Sequence, residues 1–203
     1  MSSAKNNIPA QVEGQQTDIS HFVNVASRED AHHLFLVAKG RLKDISQWHI
    51  YAGPLSAKFA ITDARGNDVY KFAQPGDLFS IDLPGPGPLA GDGFEWVRIE
   101  AMDEVTNKEA DNEYITMKVR PIANPKHPDK AVAHFYDHSA TSTFVVERNL
   151  NRVSASVHGR NETANTSDTG LFDTVRNTII ALSAREGLSL PQWKALMKGL
   201  LEE

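Results

Sequence analysis

Apolar and polar residues alternate in short runs along most of the middle of the chain, and that period of two predicts strands. Ala57, Phe59 and Ile61 make one such run, and Phe79, Ile81 and Leu83 make another over 78–83. A third covers 94–101, with Val97, Ile99 and Ala101 on one face and Phe94 and Trp96 on the other. Ile115, Met117 and Val119 predict a further strand, and Phe144 with Val146 another. Asn149-Leu150-Asn151 then turns the chain into a return strand carrying Val153, Ala155 and Val157. Asp63 to Asn67 reads as a turn whose partner strand is 68–72. The proline-rich stretches 84–88 and 121–128 and the acidic stretch 102–113 read as loops.

Helical spacing appears at the two ends. His21 to Val25 suits a short strand, after which Ser27 is placed to cap a helix beginning at Arg28, with Asp30 three residues on. Ala31, Leu34, Phe35 and Ala38 share its apolar face, and Leu42 and Ile45 extend the stripe past Gly40. Trp48, His49 and Tyr51 fall in a connection ended by Gly53-Pro54. Near the C-terminus, Phe172, Val175, Ile179 and Leu182 mark a helix stopped by Gly187. Ser189 caps the next, whose stripe is Trp193, Leu196, Met197 and Leu200.

This order predicts the α+β class: a curved antiparallel sheet with an N-terminal helix and C-terminal helices packed on it. An SH3-like small barrel with appended helices is the alternative. Residues 1–18 are polar and without period, so they read as a disordered tail, leaving 19–203 as a single α+β domain with a helical part over 171–203. The succession of His21 to Val25, the helix from Arg28, the approach from Leu42 to Trp48 and the closing helix from Leu171 resembles the helix-grip superfamily, the START and Bet v 1-like ligand-binding proteins. That resemblance implies a curved sheet wrapped around a long C-terminal helix. The break at Gly187-Leu188-Ser189, an apparent extra strand and the 84–88 loop depart from it.

Composition narrows the function classes. With 203 residues and 40% hydrophobic content the chain is long enough for one substantial core. Its net charge of −5, from 21 basic and 26 acidic residues spread along the sequence, supplies no basic stripe for nucleic acid. Cysteine is absent, which excludes disulfides, thiolate metal sites and thiol nucleophiles. The first ten residues hold no apolar run and no segment is long enough to span a bilayer, so a cytoplasmic, soluble protein is expected.

Candidate chemistry concentrates in two places. In the run 127–138, His134 and His138 would share a helical face, with Asp137 or Asp129 as an oxygen ligand; on a strand the two imidazoles stand too far apart to chelate. Arg160 and Asn161, at the end of the second hairpin, carry groups able to clamp a carboxylate or phosphate, although an ion pair and turn contacts serve equally well. Asp77, Asp82, Asp92, Glu95 and Glu100, which bracket the Pro-Gly loop, read as solvated strand ends. Ser139, Ser142 and Ser154 lie near His138 or His158, but without a Gly-x-Ser-x-Gly elbow they give no serine-hydrolase signature. No cofactor motif is present.

The expected function is a non-catalytic binding protein for a small apolar or amphipathic molecule. Phe59, Phe79, Phe94, Trp96, Met117 and Phe144 would line the pocket, and Arg160 with Asn161 would hold a polar end. Two alternatives stand beside it: a protein-protein interaction subunit or adaptor, and a small hydrolase or cyclase-like enzyme using His134, Asp137 and His138. The direction taken by Trp193, Leu196 and Leu200 separates the first two readings, since an adaptor would leave them exposed.

Overall fold

The computed structural model describes residues 4–54, 56–83, 91–128, 131–165 and 190–202. Seven antiparallel strands form one open, curved sheet: β1 (Gln15–Asn24), β2 (Lys58–Thr62), β3 (Leu78–Asp82), β4 (Glu95–Val105), β5 (Asn112–Pro121), β6 (Thr141–Asn149) and β7 (Arg152–Glu162). Their spatial order is β1-β7-β6-β5-β4-β3-β2, so β2 to β7 are neighbours in chain order and only β1 returns to the far edge. Helix α1 (Arg28–Lys43) and the short α2 (Trp48–Ala52) precede the meander. Residues 190–201 form a closing helix, α3.

α1 starts where its cap dictates. The Ser27 Oγ accepts from the Asp30 N–H at 3.0 Å, and Ala31, Phe35, Ala38 and Leu42 point into the core. A 3₁₀ turn over Ile45–Gln47 carries the stripe on to Ile45, and the expected connection through Trp48, His49 and Tyr51 is the helix α2. Trp48 is fully buried, with its Nε1 donating to the carbonyls of Arg41 and Leu42. Inward side chains of the sheet meet those of α1 and α3 in one hydrophobic core. From α3 this core receives Leu196, Met197, Leu200 and Leu201, with Trp193 partly buried against it. The helix expected around 172–182, its Gly187 stop, its Ser189 neighbour and the loop 84–88 lie outside the described residues.

Four sequence expectations are corrected. Residues 68–72 are not the partner of β2. Only the bridge Thr62↔Asp68 continues the ladder before the Ala73 N–H turns away to the Lys43 carbonyl. β2 pairs instead with β3, whose inward Phe79 and Ile81 give it a buried row that Tyr70 and Phe72, both exposed, do not offer.

Half of the acidic stretch 102–113 is strand, 102–105 belonging to β4 and 112–113 to β5. β4 runs to Val105 because Asp103 sits on the outer face, accepting from the Tyr114 hydroxyl and Asn7 Nδ2, rather than in a solvated loop. An irregularity between Ile99 and Ala101 breaks the alternation, so Ala101 is exposed and Met102 packs toward the core.

Regular elements begin well before residue 18. Ala4 is buried against Tyr114 and Val145 on the outer face, and β1 begins at Gln15. Asn161 holds this leading segment: its Oδ1 accepts from the N–H groups of Val12 and Glu13, and its own N–H donates to Gln11 Oε1. With φ at 54°, Asn161 occupies the left-handed region that asparagine tolerates better than most residues. Finally, the described residues of this run, 127–128 and 131–138, are neither helix nor regular strand, but irregular backbone with isolated bridges at Ala123↔Val132 and Tyr136↔Ala164.

Candidate functional site

The aromatic residues expected to line a hollow divide into two groups. Phe59, Phe79, Met117 and Phe144 all face inward, and the rings interlock: Trp48 lies 4.8 Å from Phe144, 5.4 Å from Phe59 and 6.0 Å from Phe79 between centroids. Trp193 of α3 closes on Phe144 at 5.4 Å and on Phe59 at 6.1 Å. These rings fill the middle of the sheet–helix interface. Trp96 points the other way, buried beside Ala133 with its Nε1 donating to the Gly91 carbonyl, and Phe94 is partly exposed. On that outer face Phe94, Trp96, Lys58 and Lys126 help to bound a separate pocket of about 220 Å³.

The interior keeps a cavity of about 60 Å³ where the aromatic packing ends. Its apolar walls include Ile81 on β3, Trp193 on α3, and Phe135, while Glu95, His134 and Ser142 bring polar groups to it. Glu95 is there by strand parity. It precedes Val97 and Ile99 by two and four residues, so the pleat that sends them into the core sends its carboxylate the same way. Only 1% of Glu95 is exposed, and His134 is 9% exposed. The sequence reading of Glu95 as a solvated strand end is therefore overturned.

His134 Nε2 stands 3.4 Å from Glu95 Oε2. On the other side of the ring, Nδ1 accepts from the Tyr136 N–H at 3.0 Å. That contact fixes the neutral tautomer: Nδ1 is the acceptor, so the proton resides on Nε2 and faces the carboxylate. Phe135 stacks on the imidazole at 4.6 Å, and Asn165 Nδ2 donates to the carbonyls of Val132 and His134, so the irregular backbone here is held. Thr17 Oγ1 donates to Glu162 Oε2 at 2.7 Å, adding a second carboxylate to the rim. Gly159 makes room for it, since a Cβ at that position would come within 2.0 Å of Glu162 Oε1. The arrangement can meet the polar end of a ligand through a carboxylate, an imidazole and hydroxyls, and can hold an apolar part against Ile81, Phe135 and Trp193.

The other expected site residues are placed elsewhere. His138 is exposed, and its carbonyl accepts from Arg120; Asp137 accepts from the N–H and hydroxyl of Ser139, closing a local turn. The three residues expected to act together are thus divided between a buried ring and a surface turn. No group of three or more His, Asp and Glu suited to a metal ion occurs among the described residues. Arg160 projects from the outer face of β7, donating to Asp18 Oδ1 and to the carbonyls of Thr17 and Gly159. Strand alternation sets it opposite the core, and Asn161 is occupied with the leading segment, so neither reaches the cavity.

No helix of the described residues is long and apolar enough to cross a membrane. No protein-family model matches the chain, and no curated protein matches its sequence. Solved structures similar to it include a hypothetical protein from Helicobacter pylori, at 12% identity over 91% of this chain and 86% of that one, with a TM-score of 0.49. A Thalictrum norcoclaurine synthase point mutant in complex with a transition-state analogue shares 14% identity over 94% of this chain and 98% of its own, at 0.35. A major latex-like protein from Panax ginseng shares 15% over 84% and 95%, at 0.33. The likenesses thus include Bet v 1-like proteins, and at these scores they bear on neither ligand nor activity.

Proposed function

We propose that this chain is a binding protein for a small amphipathic molecule, received where β3, β4 and α3 meet, with its polar end against Glu95 and His134. The observation that carries the reading is a carboxylate and an imidazole brought by core-facing backbone to a hollow with apolar walls. The inward turn of Leu196 and Leu200 supports it over the adaptor reading, which needs that stripe exposed.

The cavity of about 60 Å³ is room for a polar head group, not for a whole ligand, since drug-sized sites run to roughly 300–1,000 Å³. Binding therefore requires Trp193, which is partly buried at the rim, to leave its seat on Phe59 and Phe144 and make a wall of a larger pocket. Titration with 1-aminoanthracene, a small amphipathic fluorophore, tests this. Saturable binding of one molecule per chain is expected, weakened at least about tenfold in both Trp193→Ala and Glu95→Gln. Absence of saturation, or saturation unchanged in both variants, rejects the proposal.

A further inference from the structure

The outer face of β1 and β7 carries a second arrangement, unrelated to the cavity. Ser156 and His158 are two residues apart on β7, on the side opposite the core residues Ala155 and Val157. Asp18 is the direct register partner of His158 across the β1–β7 ladder. Ser156 Oγ lies 3.0 Å from His158 Nε2, and His158 Nδ1 lies 2.6 Å from Asp18 Oδ1. We propose that Ser156, His158 and Asp18 form a nucleophilic site that accepts acyl groups from small activated carboxylic esters.

Each member has the role its contacts allow. A serine hydroxyl is a weak nucleophile until a base takes its proton, and an imidazole serves as that base when its second nitrogen is oriented by a carboxylate. Here the Nδ1–H donates to Asp18, which leaves Nε2 to accept from the Ser156 hydroxyl. Arg160 holds Asp18 in place, donating to the same Oδ1 at 2.8 Å while anchored on two backbone carbonyls. Partial burial pushes the Asp18 carboxyl upward, but hydrogen bonds from His158 and Arg160 outweigh it and hold the group below its usual range, ionised at neutral pH. Across from His158 on β6, Thr143 keeps a buried hydroxyl with no hydrogen-bond partner among the described residues, a spare donor at the same register.

In the reaction Ser156 Oγ attacks the ester carbonyl carbon while its proton passes to His158 Nε2. The bond from that carbon to the leaving oxygen then breaks, and His158 returns the proton to the departing alcohol. Water reverses the sequence: it gives a proton to His158, attacks the acyl carbon, and releases the carboxylic acid as Ser156 Oγ is reprotonated. The N–H groups of β7 are engaged in its ladders with β1 and β6, so β7 aims no backbone donor at a developing oxyanion. The site consequently favours esters with good leaving groups and accumulates the acyl-serine.

Treatment of the full chain with p-nitrophenyl acetate, followed by peptide mass mapping, tests the assignment. An acetyl group is expected on Ser156, absent from Ser156→Ala, formed about 100-fold more slowly in His158→Gln, and slowed to a lesser degree in Asp18→Asn. The last two substitutions keep side-chain size and hydrogen-bonding capacity, so unchanged melting temperatures would separate lost chemistry from lost structure. Ser156 acetylated at the same rate in His158→Gln, acetylation of exposed lysines as fast as of Ser156, or no adduct at all overturns the proposal.

Discussion

Two buried carboxylates on neighbouring strands serve opposite purposes. Glu113, at the start of β5, is 0% exposed and wrapped by its partners: the Arg148 guanidinium on β6, the His32 imidazole on α1 at 2.8 Å, and the Asn107 N–H at 2.8 Å. Arg148, itself fully buried, spends its other donors on the carbonyls of Leu150 and Ala110. The group fastens α1 and the 106–111 turn to the sheet. Glu95 is as deeply buried, but it lines a hollow with apolar walls. Burial of a carboxyl group does not by itself mark a site; a buried carboxyl group beside unfilled space does.

The largest test of this contrast is Glu113→Gln. It leaves Arg148 buried without its counter-charge, and a loss of about 3–5 kcal/mol in urea unfolding is expected. Acid acts on the same group. Burial pushes the Glu113 carboxyl up, but the hydrogen bonds from His32 and Arg148 outweigh it, so its folded pKa lies below the ordinary value. A depressed pKa means that the stabilisation is complete above the unfolded value, about 4.3, and is lost as pH falls through the folded one. Urea midpoints measured downward from about pH 5 will therefore fall in the wild type, and less steeply in Glu113→Gln.

Next in size is Gly199→Ala on α3. A Cβ there would lie 2.0 Å from the Tyr51 carbonyl oxygen, so the helix must shift away from α2. A cost of about 1–3 kcal/mol is expected in thermal or urea unfolding, together with an altered 1-aminoanthracene affinity, because the same helix carries Trp193. Glu95→Gln is expected to act on a different readout. The part of the melting temperature that rises with bound 1-aminoanthracene will shrink by the equivalent of about 1.4 kcal/mol for a tenfold weaker ligand. Glu113→Gln will lower the melting temperature without changing that ligand-dependent increment. The smallest effect belongs to Ser27→Ala, which removes the α1 cap that helps present His32 to Glu113 and is expected to cost about 1 kcal/mol, measured in the same unfolding experiment.

The class of fold was legible because its signals are local. Alternation marked β3, β5, β6 and β7, and the Ser27 cap with the Ala31-Phe35-Ala38 stripe marked α1. The errors arose where a distant partner decides. Residues 68–72 look as much like a strand as many do, and only the competing β3 shows why they are not one. Residues 4–14 carry no period and are held by Asn161, almost 150 residues further on.

The candidate site was half legible. His134 stands out in the sequence as a chemical group, but Asp137 and His138 are its chain neighbours and Glu95 is its spatial one. Glu95 shares parity with Val97 and Ile99, a readable signal that the expectation of solvated strand ends overrode. The Ser156–His158–Asp18 line was out of reach, because it depends on β1 pairing with β7 from the opposite end of the chain.

The closing helix is fastened unevenly. Arg41 on α1 donates to the carbonyls of Gly199 and Glu202 at its C-terminal end, and His21 on β1 meets the Glu202 carboxylate there. Toward its start, the Gln192 side chain accepts from the Ala57 N–H, and Trp193 rests on rings. About 9 Å of helical rise separates Gly199, at the end held by Arg41, from Trp193. A tilt about that end moves the Trp193 ring further than it moves Gly199.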